Sequence, residues 1–127
     1  MTFALSDKSR SRLVGVHPKL VAVVNLAITL TDIDFAVLEG VRTIERQREL
    51  LAAGASQTMR SRHLTGHAVD LGAIVNGEVR WDWPLYNKLA LSVKEAARRL
   101  GCPIEWGGDW ANFPDGPHWQ LPFKEYP

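Results

Sequence analysis

The sequence predicts an α+β fold in which a small, mainly antiparallel sheet packs against about three main helices. Three long segments carry apolar residues at helical spacing, and several shorter segments have the composition of strands. The pair Asn76-Gly77 lies between two of the short segments, where it is typical of a tight hairpin turn. Since a hairpin joins antiparallel strands, the sheet is expected to be mainly antiparallel.

The predicted helices are Pro18 to Leu30, Ile44 to Ala53 and Pro84 to Leu100. The first and third open with a proline, which is favoured in the first helical turn because the N–H that it lacks would have no helical partner there. The second follows Thr43, a suitable N-cap. Gly54 and Gly101 follow the second and third helices, at the position where glycine commonly ends a helix.

The predicted strands are Phe35 to Glu39, Ala68 to Ile74, Glu78 to Trp81 and Pro103 to Trp106. Residues 55 to 67 are expected to be irregular, and so is the loop rich in Gly, Pro and Asp that leads to His118 and Trp119. With 127 residues, 46% of them hydrophobic, we expect one domain, 1–127, with a single core. Cys102 is the one cysteine, so it has no disulfide partner and is expected to be buried.

The N-terminal residues lack the basic segment and long apolar run of a signal peptide, so the protein is expected to be made in the cytoplasm. No segment reaches the roughly 20 apolar residues of a membrane span, so no membrane insertion is expected. The net charge of +1 conceals five arginines between Arg42 and Arg62. They could attract a nucleic acid, but pairing of Glu45 with Arg48 and of Glu49 with Arg46 or Arg48 on a solvated helix is the favoured interpretation.

The densest group of polar residues runs from Ser61 to Asp70 and contains His63. His63 and Asp70 are seven residues apart, so on one continuous strand they would point to opposite faces. A turn at Thr65-Gly66 removes this obstacle and lets both side chains face one site. The alanine and the glycine that lie two residues before and after Asp70 are expected to leave room there for a metal ion and a substrate.

A second polar group, Asp115-Gly-Pro-His118, follows near the C-terminus. Two histidines and Asp70 would supply three metal ligands and leave one position open for water, as in catalytic zinc sites. A further carboxylate would then take the proton of the water and pass it to the leaving amine, and Asp115 is assigned to this role. Spacing alone leaves open that these histidines are ordinary polar residues.

Four residues are candidate substrate contacts. Arg42 lies near a helix N-terminus, where the helix dipole does not favour a cation, so it could hold a substrate carboxylate or stabilise the oxyanion of an intermediate. Ser61 could form a hydrogen bond with the bound substrate. Trp110 and Trp119 lie on either side of the Asp115 loop, where each could be a substrate contact or a core residue.

The pattern Ser61-x-His63-x-x-Gly66-x-Ala68-x-Asp70, followed by Asp115-x-x-His118, resembles the zinc D-Ala-D-Ala carboxypeptidase (VanY-like) metallopeptidases. This group shares its metal-site architecture with lysostaphin-type enzymes and the hedgehog signalling domain. The resemblance extends over nearly the whole chain to the L-alanyl-D-glutamate peptidase endolysins of tailed phages, through LVGVHPKL, VLEGVRTIERQRELLAAGASQTM, WDWPLY and EWGGDW.

The resemblance implies a hedgehog/DD-peptidase-like fold and one catalytic Zn²⁺. It implies metal ligands at His63, Asp70 and His118, a catalytic carboxylate at Asp115, and substrate or transition-state contacts from Arg42 and Ser61. The implied activity is cleavage of the L-alanyl-D-glutamate bond in peptidoglycan stem peptides.

The resemblance also predicts the setting of this activity, which is lysis of the host cell. The protein is expected to be a monomer without a separate cell-wall-binding domain, which acts on the wall after release from the cytoplasm and binds no nucleic acid. Two alternatives stay open. One is a D,D-carboxypeptidase or dipeptidase that acts on D-Ala-D-Ala with the same metal chemistry, and the other is a non-catalytic zinc-binding recognition module.

Overall fold

The structure, a computed structural model, describes residues 2–56 and 58–127. Met1 and Gln57 lie outside the described residues. Met1 belongs to the N-terminal segment that is expected not to be a signal peptide, and Gln57 belongs to the segment predicted to be irregular. The helices are α1 (Asp7–Arg12), α2 (Pro18–Leu30), α3 (Ile44–Ala52) and α4 (Trp83–Leu100). The strands are β1 (Asp34–Glu39), β2 (Ala68–Val75), β3 (Glu78–Arg80), β4 (Glu105–Trp106) and β5 (His118–Gln120), with 3₁₀ turns at Arg62–Thr65 and Gly107–Asp109. The predicted α+β class with three main helices is confirmed.

Strand β2 is the centre of a sheet in which the described pairings are all antiparallel. Strand β1 lies along one edge of β2, while β5 and β3 share the other edge, and β4 lies outside β5. The predicted Asn76-Gly77 hairpin joins β2 to β3, and both turn residues have the positive φ that such a turn requires. Asp70 near the start of β2 therefore lies between β1 and β5.

The hydrophobic core lies between the sheet and the two long helices, α2 and α4. Its most deeply buried members include Leu20 and Val23 of α2, Leu71 of β2, and Leu89 and Val93 of α4. Cys102 is buried as well, as expected. None of the helices in the described part of the chain is both long and apolar enough to cross a membrane.

The prediction that small residues leave open space on both sides of Asp70 is wrong at Gly72. A Cβ atom placed on Gly72 would lie 2.8 Å from the Leu38 side chain and 3.1 Å from the Val79 side chain. These two apolar groups cover the strand at that position. The space at Gly72 is therefore not available to a ligand of Asp70.

Helix α1 was not predicted, because its six residues carry no apolar stripe. Its buried residue is Ser9, whose Oγ accepts a hydrogen bond from the Val37 N–H at 3.0 Å. Arg12 Nη1 donates to the Val37 carbonyl at 2.9 Å. The helix therefore supplies hydrogen-bond partners for the N–H and carbonyl of Val37 on the free edge of β1, which would otherwise be unpaired.

Candidate active site

Two backbone features bring the predicted metal ligands together. Asp70 and His118 are direct partners in the pairing of β2 with β5, so their side chains leave the sheet side by side. His63 lies in the 3₁₀ turn that precedes β2, and Gly66 ends this turn with φ +77°. A Cβ atom on Gly66 would lie 2.5 Å from the Gly15 carbonyl oxygen, so this turn requires glycine.

The three side chains direct one donor atom each towards a common point. His63 Nε2 lies 3.2 Å from Asp70 Oδ1, and His118 Nδ1 lies 3.4 Å from the same oxygen. All three donor atoms lie within 4.8 Å of one another. Two ligands that are about 2.0–2.1 Å from a tetrahedral zinc ion would be about 3.3–3.4 Å apart, so the two distances to Asp70 Oδ1 fit this ion.

The outer nitrogen of each histidine ring faces an oxygen acceptor. His63 Nδ1 lies 2.8 Å from the Gly40 carbonyl, and His118 Nε2 lies 2.8 Å from Gln120 Oε1. The Gln120 amide is oriented in turn by Glu105, whose Oε2 accepts from Gln120 Nε2 at 3.2 Å. Because both outer nitrogens donate, both inner nitrogens point a lone pair at the carboxylate unless a proton or a metal cation lies between them.

The charges of the ligands respond to this arrangement. Burial opposes ionisation of Asp70, but hydrogen bonds from His118 and His63 outweigh it and lower the pKa of Asp70. Burial also opposes a charged His118, yet its hydrogen bond with Asp70 and the charge of this carboxylate raise the pKa of His118. Without a metal the site therefore favours an imidazolium paired with a carboxylate, and a metal cation would displace the proton.

Asp115 lies at the wall of the same cleft but is not one of the three converging ligands. Its backbone N–H donates to the Gly107 carbonyl at 2.9 Å, and its own carbonyl accepts from the His118 N–H at 3.2 Å. Burial and the negative charge of Asp70 raise the pKa of Asp115. This carboxyl group therefore takes up a proton more readily than an ordinary aspartate, as a general base must.

Arg42 is held beside the ligands by two polar side chains. Its Nε donates to Glu39 Oε1 at 2.9 Å, its Nη1 donates to Gln47 Oε1 at 2.7 Å, and its Nη2 lies 3.9 Å from Asp70 Oδ2. A β-bulge at Leu38 shifts the register of β1 so that Glu39 lies opposite Asp70. Nη2 also donates to Glu39 Oε1, so one N–H on each terminal nitrogen of the guanidinium remains for a substrate oxygen.

Gln47 is a site residue that the sequence interpretation missed. It is 0% exposed on α3, and its Nε2 donates to Ser56 Oγ at 2.7 Å and to the Thr58 carbonyl at 2.5 Å. The amide thus connects Arg42 to the segment that forms the far wall of the cleft. A signal was available, since Gln47 lies at helical spacing from Ile44, Leu50 and Leu51.

The remaining candidate contacts have different outcomes. Ser61 lines the cleft, and its Oγ caps the 3₁₀ turn by accepting from the His63 N–H at 3.2 Å. Trp110 lines the cleft with its ring centre 5.1 Å from that of His118. Trp119 is 1% exposed and stacks on Trp106 in the core, so the structure contradicts its predicted role as a substrate contact.

The cleft has a volume of about 840 Å³, which suits an extended peptide. Its lining includes the candidate metal ligands, Trp110, Phe113, and the Arg46 and Arg60 side chains. The predicted pair of Glu49 with Arg46 is present at 3.0 Å. Among the described residues, Glu45 and Arg48 do not form the expected pair.

Three converging donor atoms beside a separate carboxylate at the wall of an open cleft are typical of metal-dependent hydrolases. Residues 1–120 match the model of a family described as phage L-alanyl-D-glutamate peptidase. The chain belongs to this family, as its sequence motifs predict.

Individual relatives support the assignment. The L-alanyl-D-glutamate peptidase of Escherichia phage T5 is 30% identical over 114 residues, which cover 87% of this chain and 83% of the relative. The L-alanyl-D-glutamate peptidase of Listeria phage A118 is 40% identical over 94 residues, which cover 74% of this chain and 32% of that longer protein. The crystal structure of the Serratia marcescens L-Ala D-Glu endopeptidase ChiX superposes with a TM-score of 0.91 at 51% identity, covering 95% of this chain and 91% of that chain.

Proposed function

We propose that this chain is a zinc-dependent endopeptidase that hydrolyses the L-alanyl-D-glutamate bond of peptidoglycan stem peptides. The observation that carries the proposal is the convergence of His63 Nε2 and His118 Nδ1 on one oxygen of Asp70. The names of the family and of its relatives state activity on the same bond. The cleft around the three ligands supplies room for the peptide.

Zinc is the metal that this set of donors favours. Two imidazole nitrogens and one carboxylate oxygen are typical ligands of catalytic zinc, whereas magnesium and calcium prefer oxygen donors alone. His63, Asp70 and His118 would hold the ion. When bound, zinc would lower the pKa of a coordinated water from about 15.7 towards about 7 and polarise the scissile carbonyl.

Asp115 would carry the proton through the reaction. The carboxylate takes a proton from the attacking water, whose oxygen forms a bond to the alanyl carbonyl carbon. It then gives the proton to the nitrogen of D-glutamate as the C–N bond breaks, which leaves a carboxyl group on alanine and a free amine on glutamate. The raised pKa of Asp115 supports both transfers.

Arg42, Ser61 and Trp110 would position the peptide. The unused N–H groups of Arg42 suit a substrate carboxylate or the developing oxyanion. The Ser61 oxygen already accepts from the His63 N–H, so its hydroxyl proton is available to the substrate. Trp110 would form an apolar wall beside His118.

The setting follows from the phage relatives. We propose that the chain acts as a monomeric, single catalytic domain on the cell wall outside the cytoplasm, during lysis of the host cell. The arginines of the cleft rim would then meet the carboxylates of the stem peptide instead of a nucleic acid.

The decisive experiment is digestion of purified peptidoglycan followed by identification of the new chain ends. New D-glutamyl amino termini are expected from the zinc-loaded protein, none after removal of metal by a chelator, and full recovery when zinc is added back. Loss of terminal D-alanine alone would indicate a D,D-carboxypeptidase. Stoichiometric zinc with no new termini would indicate a recognition module instead.

A further inference from the structure

Tyr86 on α4 is buried close to the active site, yet the chemistry described above gives it no role. The residue is 4% exposed, and no group in the described part of the chain forms a hydrogen bond with its hydroxyl. A buried hydroxyl without a partner costs free energy, and phenylalanine would fill the same space without this cost. Retention of the hydroxyl therefore points to a use for it.

The ring of Tyr86 supports the loop that carries Asp115. A Cβ atom placed on Gly116 would lie 2.6 Å from Cδ2 of the tyrosine ring, so the ring packs directly against the Gly116 backbone. The Gly116 carbonyl is fixed as well, because it accepts from Trp106 Nε1 at 2.7 Å. Two aromatic side chains thus hold the residue that follows Asp115.

The Tyr86 hydroxyl lies within the influence of three carboxylates. Burial and the negative charges of Asp115, Asp70 and Asp82 raise the pKa of Tyr86 to about 12. The hydroxyl therefore keeps its proton at neutral pH and is available as a hydrogen-bond donor.

Two of these three carboxylates already have partners. Asp70 Oδ1 lies 3.2 Å from His63 Nε2 and 3.4 Å from His118 Nδ1, and Asp82 Oδ2 accepts from Arg80 Nη2 at 2.6 Å. Within residues 2–56 and 58–127, no group forms a hydrogen bond with the Asp115 carboxylate. An unpaired buried donor and an unpaired acceptor therefore belong to neighbouring parts of the same site.

We propose that Tyr86 is a positioning residue for Asp115. In the substrate-bound enzyme, the Tyr86 hydroxyl donates a hydrogen bond to one oxygen of the Asp115 carboxylate, so that the other oxygen faces the attacking water. The inference rests on the proposed function, since it takes Asp115 as the base. Because the bond forms only during the reaction, it supports the rate and not the folded state.

The variant Tyr86→Phe separates the hydroxyl from the ring, because the ring still supports Gly116. A kcat that is lower by about 10- to 100-fold is expected, with KM within about twofold of the wild-type value. Zinc content should be unchanged and the thermal midpoint no lower, since the lost hydroxyl has no partner in the folded chain. Tyr126→Phe removes the same atom from the other tyrosine, which does not line the cleft, and should keep full kcat.

A kcat of Tyr86→Phe within about twofold of the wild-type value would overturn the inference. A second arm introduces Tyr86→Phe into Asp115→Asn and measures single turnovers on a stem peptide. No additional loss is expected if Tyr86 acts through Asp115, whereas losses that multiply would show an independent role. A wild-type protein that releases no D-glutamyl termini would refute the proposed function, while an active one unaffected by Tyr86→Phe refutes this inference alone.

Discussion

The candidate metal ligands and the proposed catalytic carboxylate are held by different kinds of structure. His63 and His118 are 2% and 7% exposed, and every nitrogen of their rings has a polar partner. Asp115 lies on the loop between the second 3₁₀ turn and β5, where only its backbone is tied down among the described residues. The ligand side of the site is therefore fixed before any ion arrives, and the base side keeps its acceptors free.

The difference follows from what each side has to do. A metal site gains affinity from donors that need no reorganisation, so its histidines are locked by outer hydrogen bonds. A group that accepts and then releases a proton must exchange its hydrogen-bond partners during the reaction. A carboxylate already saturated with partners would serve this purpose poorly.

The largest effect is expected from removing a ligand on the ligand side of the site. Asp70→Ala removes the oxygen on which both histidines converge, so zinc binding should be lost and wall cleavage should fall to background. Zinc at 100 times its Kd should stabilise the wild-type protein by about 2.7 kcal/mol and the variant by nothing, as thermal unfolding with and without zinc will measure. Asp7→Ala, on the exposed face of α1, is the matched control and should behave as wild type. Stoichiometric zinc in Asp70→Ala would contradict the ligand assignment.

A substitution on the base side should lower the rate of cleavage and leave zinc binding unchanged. Asp115→Asn keeps the size of the side chain but cannot accept the proton, so kcat should drop by about 10²- to 10⁴-fold. Zinc content and thermal midpoint should stay at wild-type values, because Asp115 is not a ligand. If the variant cleaved peptidoglycan at the normal rate, another residue would have to be the base.

Loss of a hydrogen-bond partner of an outer histidine nitrogen should lower the zinc affinity of the ligand side without abolishing it. Gln120→Leu removes the acceptor of His118 Nε2, which frees the ring to rotate and to adopt the wrong tautomer. Zinc affinity, measured by competition with a chelator, should fall by about 10- to 100-fold. Glu105→Gln is the milder control, because an amide oxygen can still accept from Gln120. Equal zinc affinity in Gln120→Leu and the wild type would show that the outer bond does not matter.

Protons should compete with zinc for the same nitrogens. The raised pKa of His118 means that this ring keeps its proton at a pH where an ordinary histidine, with a pKa of about 6.5, has lost it. Zinc affinity should therefore rise by about tenfold per pH unit until the pH passes this raised pKa. The metal-free protein should show the opposite trend, since the stability from the protonated pair is lost as the pH rises through the same pKa. Calorimetry in two buffers and unfolding at several pH values will measure both trends.

The sequence predicts the convergence of His63, Asp70 and His118 because the relevant signals are local. The Thr65-Gly66 turn reorients His63 within a few residues. The Asp-x-x-His segment contains both Asp115 and His118 within four residues. The Gln120–Glu105 bond and the bulge at Leu38 depend on strand register, which only the folded sheet sets.

Trp119 shows how one missed strand misplaces a side chain. The same alternation that was applied to Asp70 places Trp119 on the face opposite to His118, which is the core face. A loop has no such alternation, so the expectation of a loop up to Trp119 assigns this side chain to neither face. Once β5 is recognised, the burial of Trp119 and the position of Gln120 on the same face as His118 follow together.

The smallest effect is expected at Ser61, which caps the turn that holds His63 and is also a proposed substrate contact. Ser61→Ala removes the cap on the turn that holds His63, so the free energy of unfolding should fall by about 1 kcal/mol. KM should rise a few-fold as well if the hydroxyl also donates to the substrate. Ser61→Asn can restore the cap but presents a different donor, so stability should recover while KM stays raised. If KM follows stability in both variants, Ser61 serves only to hold His63, and the substrate contact predicted for it does not exist.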